Sequence, residues 1–292
     1  MSFDDQRKSF FNSLNKKKRN SDAEMSFFDH LEELRWHIIR SLLVVVVIAG
    51  VAFSFPHFLF DVVLFGPKRL DFWTYRQLCR ISELVHQPEL CVKSFHFTML
   101  NTDLAGQFTW NFTAAIMSGL IIGFPYLLWE LWRFISPALK DEEKRHSTGM
   151  IAFGSILFLS GVLFGYYIVM PLTINFLGGY TISDQIVNQI TLDSYFSMLI
   201  TLALASGITF EMPILAYYLS RVGIITPKLL RNSRRYAVII ILIVAAVITP
   251  SPDIMTQLIV SAPLFILFEI SIFVSAGVER GKRRAEKRLM KI

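Results

Sequence analysis

Two long apolar runs flank a short charged segment, and this pattern constrains the fold more than any other feature of the chain. The runs at 109–129 and 147–180 contain no Asp, Glu, Lys or Arg, whereas the segment at 133–145 between them is rich in charge. A helix needs about 20 apolar residues to cross ~30 Å of hydrocarbon, because each residue adds ~1.5 Å. The pattern therefore predicts two transmembrane helices joined by a short loop at one membrane face.

The composition of the whole chain is also typical of a membrane protein with several transmembrane helices. Hydrophobic residues make up 53% of the 292 residues and the mean hydropathy is +0.48, which is too apolar for a soluble domain. We predict an all-α integral membrane protein with six transmembrane helices between residues 30 and 278. The predicted spans are 36–55, 107–132, 147–176, 194–220, 235–249 and 254–276; a disordered cytosolic arm at 1–29 precedes them, a long loop at 56–106 follows the first span, and a basic cytosolic tail occupies 279–292.

The positions of the basic residues predict the orientation, because Lys and Arg accumulate in cytoplasmic loops. All but five of the 29 Lys and Arg residues lie before residue 41, in the charged segment, at 221–235 or in the tail. The other five lie in the long loop, and long loops cross the membrane largely regardless of charge. Both termini and the charged segment are therefore predicted to be cytoplasmic, and the pI of about 9.3 reflects membrane topology rather than nucleic-acid binding.

Both cysteines, Cys79 and Cys91, fall in the long loop that this orientation places outside the cytoplasm. An oxidising compartment would allow a disulfide, which stabilises a loop of this length by ~3 kcal/mol in the chain-entropy model. Free thiols are an open alternative. So is a zinc site that adds His86 and His96, although the spacing matches no common zinc pattern.

Two features of the predicted spans are unusual for a simple apolar bundle. Glu211 lies inside the fourth span, where an ionisable group costs roughly 3 kcal/mol and usually faces a cavity or a partner. Pro213 removes a backbone hydrogen bond beside it, so we expect a kink there; a protonated Glu211 bonded to a neighbouring helix is the structural alternative. The apolar run at 236–248 makes only about 20 Å of helix, which predicts local thinning of the bilayer.

The acidic residues at the predicted cytoplasmic face have an ordinary structural interpretation. Glu32 and Glu33 fit the positive end of the first helix. Asp141 fits a cap for the third span, with Glu142 and Glu143 in its first turn. On composition alone, helix stabilisation explains these residues without a binding role.

Several motifs in register resemble the signatures of the TatC family, the multi-spanning subunit of the twin-arginine protein translocase. The motifs are HLEELR at 30–35, FISPAL at 134–139, EKR at 143–145, FEMP at 210–213, TPSPD at 249–253, Gln257 and LFE at 267–269. They run from about residue 30 to about 278, in the order and with the six-span layout of the family, in which the fifth and sixth helices are short.

The resemblance implies the core receptor subunit of this translocase, in the bacterial cytoplasmic membrane. Such a subunit binds the twin-arginine signal peptides of folded cargo at its cytoplasmic face, and export uses the proton-motive force. The implied partners are TatA-type single-span subunits, further copies of the chain and the lipid bilayer; a TatB-type subunit beside TatA is left open by the sequence. We expect no enzyme activity, cofactor, metal or nucleic acid, because the sequence contains no Gly-rich phosphate loop, HExxH or GxSxG motif.

The resemblance also implies roles for individual residues. The implied signal-peptide residues are Glu33, Arg35, Phe134, Glu143, Lys144 and Arg145. The implied intramembrane polar or partner contacts are Glu211, Thr249, Asp253, Gln257 and Glu269. Helix capping explains Asp253 equally well, and snorkelling to the membrane surface explains Glu269 equally well.

The chain departs from the family pattern in its longer N-terminal arm and in an extra stretch of the long loop, at about 71–101, that holds both cysteines. The alternative function is an ion-coupled transporter of small solutes with Glu211 as its proton site. Such transporters usually contain internal repeats, and the sequence has no convincing repeat.

Overall fold

Long helices dominate the computed structural model, which describes residues 27–86, 91, 98–135, 147–183, 185, 188–249 and 254–289. Helices suit these apolar runs because they satisfy backbone hydrogen bonds within the segment, as hydrocarbon demands. The helices are α1 (Phe27–Phe53), α2 (Trp73–Val85), α3 (Gly106–Ile135), α4 (Ser147–Phe164), α5 (Met170–Gly179), α6 (Leu192–Phe210), α7 (Met212–Val222), α8 (Pro227–Asn232), α9 (Arg234–Ile248) and α10 (Ile254–Leu289); the strands are β1 (Thr98–Leu100) and β2 (Gln189–Thr191).

Five of the described helical segments are long and apolar enough to cross a membrane. They are Glu32–Phe53, Gly106–Phe134, Gly149–Gly179, Leu192–Val222 and Thr256–Arg284. The helix at the predicted fifth span, α9, has 15 residues, which is about 22 Å of helix. The predicted helical membrane architecture is therefore present, together with one two-stranded sheet. The fifth helix is short as predicted, but the prediction of a short sixth helix is wrong, because its apolar segment has 29 residues.

The described helix ends that border the segments predicted to be cytoplasmic lie at one end of the helix bundle. α1 packs along α3, and the end of α3 meets the end of α7, where the rings of Trp132 and Tyr218 lie 5.4 Å apart. The end of α7 in turn contacts α10 through a hydrogen bond of 2.7 Å from Ser220 to Ser275. The start of α1 and the ends of α3, α7 and α10 therefore lie together.

A Gly-xxx-Gly pair brings α4 and α6 into close contact. A Cβ atom added to Gly161 would lie 2.7 Å from the carbonyl oxygen of Ser206, and one added to Gly165 would lie 2.6 Å from that of Leu202. Only glycine leaves room at both positions, as is common where two membrane helices approach closely. α6 also packs against α3, α9 and α10, so it is the central helix of the bundle.

Two of the described spans are interrupted next to a proline, whereas α3 and α10 continue through Pro125 and Pro263. The third span passes through a π-helical turn at Gly165–Val169 and resumes as α5, with Pro171 in its first turn. In the fourth span α6 ends and α7 begins on either side of Glu211, and Pro213 lies in the first turn of α7. The helix is therefore broken beside Glu211, at the position where the sequence predicts a kink.

α2 covers the opposite end of the bundle. Tyr75 is fully buried and donates its O–H to the carbonyl oxygens of Pro67 (2.9 Å) and Pro171 (3.3 Å). Burial raises the pKa of Tyr75, so its phenol stays protonated and can donate. Cys79, in the middle of α2, forms a disulfide with Cys91, the first of the three alternatives that the sequence left open.

A short parallel sheet ties the long loop to the link before α6. β1 pairs with β2, with Thr98 opposite Gln189 and Leu100 opposite Thr191. Thr191 is also the N-cap of α6, because its side chain accepts a hydrogen bond of 3.2 Å from the amide of Ser194. The pairing therefore holds the extra part of the loop against the start of the central helix.

Two helices continue beyond the predicted spans. α1 begins at Phe27, within the segment 1–29 predicted to be disordered, and α10 runs through most of the predicted tail to Leu289. Lys282 stabilises the extension, because its Nζ donates to the carbonyls of Ser220 (3.1 Å) and Arg221 (2.6 Å) at the end of α7. Hydropathy marks where a span ends but not where a helix ends, since Lys and Arg are themselves good helix formers.

Candidate functional site

A buried polar cluster joins α1 to α3 where α1 begins and α3 ends. Glu130 is only 1% exposed, and its Oε2 is hydrogen-bonded to Nδ1 of the buried His37. Tyr126 donates its O–H to the other carboxylate oxygen, Oε1, at 2.8 Å. Arg133 lies 4.0 Å from that same oxygen. We call His37, Tyr126, Glu130 and Arg133 the His37–Glu130 cluster.

The cluster occupies both oxygens of the Glu130 carboxylate. A buried carboxylate is costly unless it is paired and hydrogen-bonded, and Glu130 meets both conditions. Tyr126 and Arg133 come from the same face of α3, since they lie four residues before and three residues after Glu130. His37 comes from α1. The cluster therefore fastens two helices together and leaves little of Glu130 for a ligand.

Two residues implicated by the family resemblance lie against His37. Glu33 is one turn earlier on α1, with its Oε1 4.0 Å from Nε2 of His37, and its side chain is 38% exposed. The ring of Phe134, at the end of α3, meets the His37 ring edge-on with 6.1 Å between centroids. A partly exposed carboxylate and an aromatic ring thus come together from two helices, while Arg35 is exposed nearby on α1.

Other predicted site residues fall outside the described parts of the chain. These are Glu143, Lys144, Arg145 and Asp253, and the predicted cap Asp141 with its short helix lies there too. The structure therefore brings together Glu33 and Phe134 of the predicted site.

Sequence reasoning missed His37 and Glu130. A signal was present, since Glu130 is the first charged residue after an apolar run and lies at helical spacing from Tyr126 and Arg133. His37 likewise lies four residues after Glu33. The pairing of His37 with Glu130 spans 93 positions, however, and depends on how α1 and α3 are rotated against each other.

Glu211 occupies a second, separate polar position at the break between α6 and α7. Its Oε1 is buried and has no hydrogen-bond partner within the described residues. Its Oε2 faces Gly154 of α4, beside the side chains of Leu128 and Ile214. The surroundings of this carboxyl group are therefore largely apolar, in contrast to those of Glu130.

The remaining predicted polar residues contact their own chain. Thr249 is buried and donates to the carbonyl of Ala245 at 2.9 Å, within α9 and its cap. Gln257 on α10 donates to the carbonyl of Leu242 at 3.1 Å, which joins α10 to α9. Glu269 forms an ion pair of 2.7 Å with Arg234 at the start of α9, so it has a partner in addition to any snorkelling. The partial positive charge at this helix start adds to the attraction.

The chain matches known proteins over most of its length. The model of the family described as "TatC: Sec-independent protein translocase protein (TatC)" matches residues 29–263. A Sec-independent protein translocase protein TatC from Blattabacterium sp. subsp. Periplaneta americana (strain BPLAN) is 38% identical, and the match covers 90% of this chain and 100% of the relative. The protein of the same description from Aquifex aeolicus (strain VF5) is 33% identical, with 90% of this chain and 100% of the relative covered.

Two solved structures have a similar fold. A crystal structure of the twin arginine translocase receptor TatC matches with a TM-score of 0.61 and 31% identity, covering 86% of this chain and 99% of the other. A second crystal structure, of the same receptor in DDM, matches with a TM-score of 0.64 and 32% identity, covering 84% and 99%.

Proposed function

This chain belongs to the TatC family of Sec-independent protein translocase proteins, and we propose that it is the receptor subunit that binds twin-arginine signal peptides. It is a translocase component rather than an enzyme, and a multi-pass membrane protein. The proposed binding surface is the end of the bundle where α1 begins and α3 ends, facing the cytoplasm.

The convergence of Glu33 and Phe134 on His37 supports this proposal most strongly. A guanidinium group forms two parallel hydrogen bonds with a carboxylate, and its planar face stacks on an aromatic ring. Glu33 offers a carboxylate that is partly open to solvent, and Phe134 offers the ring. By family resemblance, Glu143 supplies the second carboxylate, with Lys144, Arg145 and Arg35 beside the peptide.

The His37–Glu130 cluster has a positioning role in this proposal. Glu33 and Phe134 belong to different helices, so their separation depends on how α1 is fixed against α3. The buried bond between His37 and Glu130 fixes it, and the His37 ring touches both proposed binding residues. A site held in this way loses little conformational entropy when the peptide binds.

The remaining features of the proposal concern the membrane and the partners. We infer six spans with both termini in the cytoplasm of a bacterium, a cytosolic arm at 1–29 and a basic tail at 279–292. TatA-type and TatB-type subunits would contact Glu211 and the polar residues Thr249, Asp253, Gln257 and Glu269, beside the short α9. Further copies of the chain complete the complex, and the proton-motive force drives export of folded cargo across a bilayer thinned at α9.

Peptide binding to charge-reversed variants tests the receptor role. A fluorescent twin-arginine signal peptide is titrated into the purified full-length protein in detergent, and a twin-lysine peptide is titrated in parallel. Glu33→Lys is expected to weaken twin-arginine binding by about tenfold or more, because hydrogen bonds to charged groups contribute about 1.5 to 3 kcal/mol. The twin-lysine peptide binds weakly throughout, since lysine lacks the planar fork.

Glu32→Lys is the matched control, because Glu32 is the exposed neighbour of Glu33 and its reversal changes the net charge equally. It is expected to bind the twin-arginine peptide nearly normally. Normal binding by Glu33→Lys, or equal binding of the two peptides by the unaltered protein, would contradict the proposal. Glu143→Lys is expected to abolish export while the protein still inserts in the membrane.

A further inference from the structure

A cationic cavity lies between α8 and the extension of α10, apart from the proposed peptide site. Its volume is about 420 Å³, and its polar lining consists of Lys228, Arg231 and Asn232 from one side and Glu279, Arg280 and Arg283 from the other. The two segments pack against each other, so the cavity is a notch between helices rather than an isolated surface.

The charges of the cavity are unbalanced. Its one carboxylate, Glu279, is already bound to Arg283 at 2.5 Å. Lys228, Arg231 and Arg280 form no ion pair with any other residue that the structure describes. Cations brought together in this way repel one another, and an anion between them would relieve that repulsion.

The cavity lies where the apolar surface of α10 ends. Ile266, Phe273 and Arg280 are seven residues apart, which places them on one face of the helix. Ile266 is 60% exposed and Phe273 is 71% exposed, so this face carries exposed apolar side chains, and Glu269 beside them is paired with Arg234. The same face becomes cationic at Arg280, within the last turns of the Thr256–Arg284 span. Along α10, exposed apolar side chains are therefore followed by cationic ones, in the same order as the acyl chains and the phosphate of a phospholipid.

We propose that this cavity binds the phosphate of an anionic phospholipid, with the acyl chains lying along Ile266 and Phe273. Guanidinium groups bind phosphate oxygens in pairs, and basic notches between membrane helices suit anionic headgroups. The lipid bridges α8 and α10 through Arg231 and Arg280. This inference goes beyond the receptor role and does not depend on it, because it concerns different residues and a different ligand.

Native mass spectrometry of the full-length protein in detergent tests the lipid site. Phosphatidylglycerol and phosphatidylcholine are added separately, and the fraction of protein that retains one lipid is measured. The unaltered protein is expected to retain phosphatidylglycerol preferentially. The double variant Arg231→Gln/Arg280→Gln is expected to bind it about thirtyfold more weakly, since each cation near an anionic lipid contributes about a fivefold gain in affinity.

The matched control is Arg235→Gln/Arg284→Gln, which removes the same charge from two exposed arginines that do not line the cavity. It is expected to retain phosphatidylglycerol normally. Equal retention of the two lipids, or equal loss in the two double variants, would overturn the proposal in favour of diffuse charge. Complete displacement of the lipid by millimolar inorganic phosphate would assign the cavity to free phosphate instead. An unchanged unfolding temperature shows that both variants are folded, and signal-peptide binding, measured separately, reports on the receptor role alone.

Discussion

Two carboxyl groups in the helical segments of this protein have opposite surroundings. Glu130 has both oxygens occupied, by His37 on one side and by Tyr126 with Arg133 on the other. Glu211 has one buried oxygen with no partner among the described residues, and its other oxygen faces Gly154. Both groups are costly in an apolar setting, but only one is compensated within the chain.

We infer that Glu130 has a structural role, whereas Glu211 has a carboxyl oxygen that can still form a contact with another molecule. Because the partners of Glu130 hold α1 against α3, its removal should cost stability. The Glu211 carboxyl lies at a helix break and contributes no side-chain hydrogen bond from its buried oxygen, so its removal should cost function first. Variants at these two positions test this distinction.

Glu130→Ala is expected to lower the free energy of unfolding the most, by about 3 kcal/mol, because breaking a buried pair leaves the remaining partner uncompensated. In this variant the His37 ring and the Tyr126 O–H both lose their hydrogen-bond partner. Thermal unfolding of the purified protein in detergent, followed by circular dichroism, measures the loss. Glu32→Ala, at an exposed position of α1, is the control and should unfold normally. An unfolding temperature equal in the two variants would remove the structural role of Glu130.

The direct interaction of His37 with Glu130 is expected to contribute about 2 kcal/mol of coupling energy in a double-mutant cycle. His37→Ala, Glu130→Ala and the double variant are compared with the unaltered protein by the same unfolding measurement. Direct contact predicts that the double variant loses less stability than the sum of the single variants. If the stability loss of the double variant equals the sum of the two single losses, the two residues act independently.

Glu211→Gln is expected to change the free energy of unfolding by less than about 1 kcal/mol, since the buried oxygen gives up no hydrogen bond. Export of a folded twin-arginine reporter to the periplasm should nevertheless fall, because the proposed contact with a partner subunit is lost. Glu130→Gln has the same chemical change and should show the reverse order, with stability affected before export. A Glu211→Gln protein that has a lowered unfolding temperature but exports the reporter normally would contradict the proposed difference between Glu211 and Glu130.

Arg133→Gln is expected to have the smallest effect on stability, under about 1 kcal/mol, because exposed ion pairs contribute little. Its side chain is 53% exposed and lies 4.0 Å from Glu130, at the edge of the cluster. The guanidinium also lies over the Trp129 ring at 5.5 Å, and this contact is lost as well. Thermal unfolding at low and high salt is the measurement, and a large drop would place Arg133 among the main supports of the cluster.

The sequence predicted much of the fold because the bilayer imposes simple requirements. Apolar runs of sufficient length must form helices, and a proline in a span must interrupt hydrogen bonding, as occurs beside Glu211. These are local properties of the chain. The pairing of Cys79 with Cys91 was one of several open alternatives, since a spacing alone does not place two thiols in contact.

The contacts between helices could not be read from the sequence in the same way. The pairs His37–Glu130 and Arg234–Glu269 each join helices whose relative rotation depends on packing along their whole length. Hydropathy predicts that a helix crosses the membrane, but many rotations bury an equally apolar face. The motifs identified Glu33 and Phe134 as site residues, yet the group that lies against both, His37, became visible only in the structure.

The extension of α10 has a mechanical consequence. Lys282 holds the carbonyl end of α7, and the other end of α7 begins directly after Glu211. α7 is a helix of 11 residues and is about 16 Å long. The extension of α10 is therefore connected, through Lys282 and α7, to the helix break at Glu211. A tag or probe attached close to Lys282 would disturb its hydrogen bonds to α7, whereas a long flexible spacer after Leu289 would leave those bonds intact.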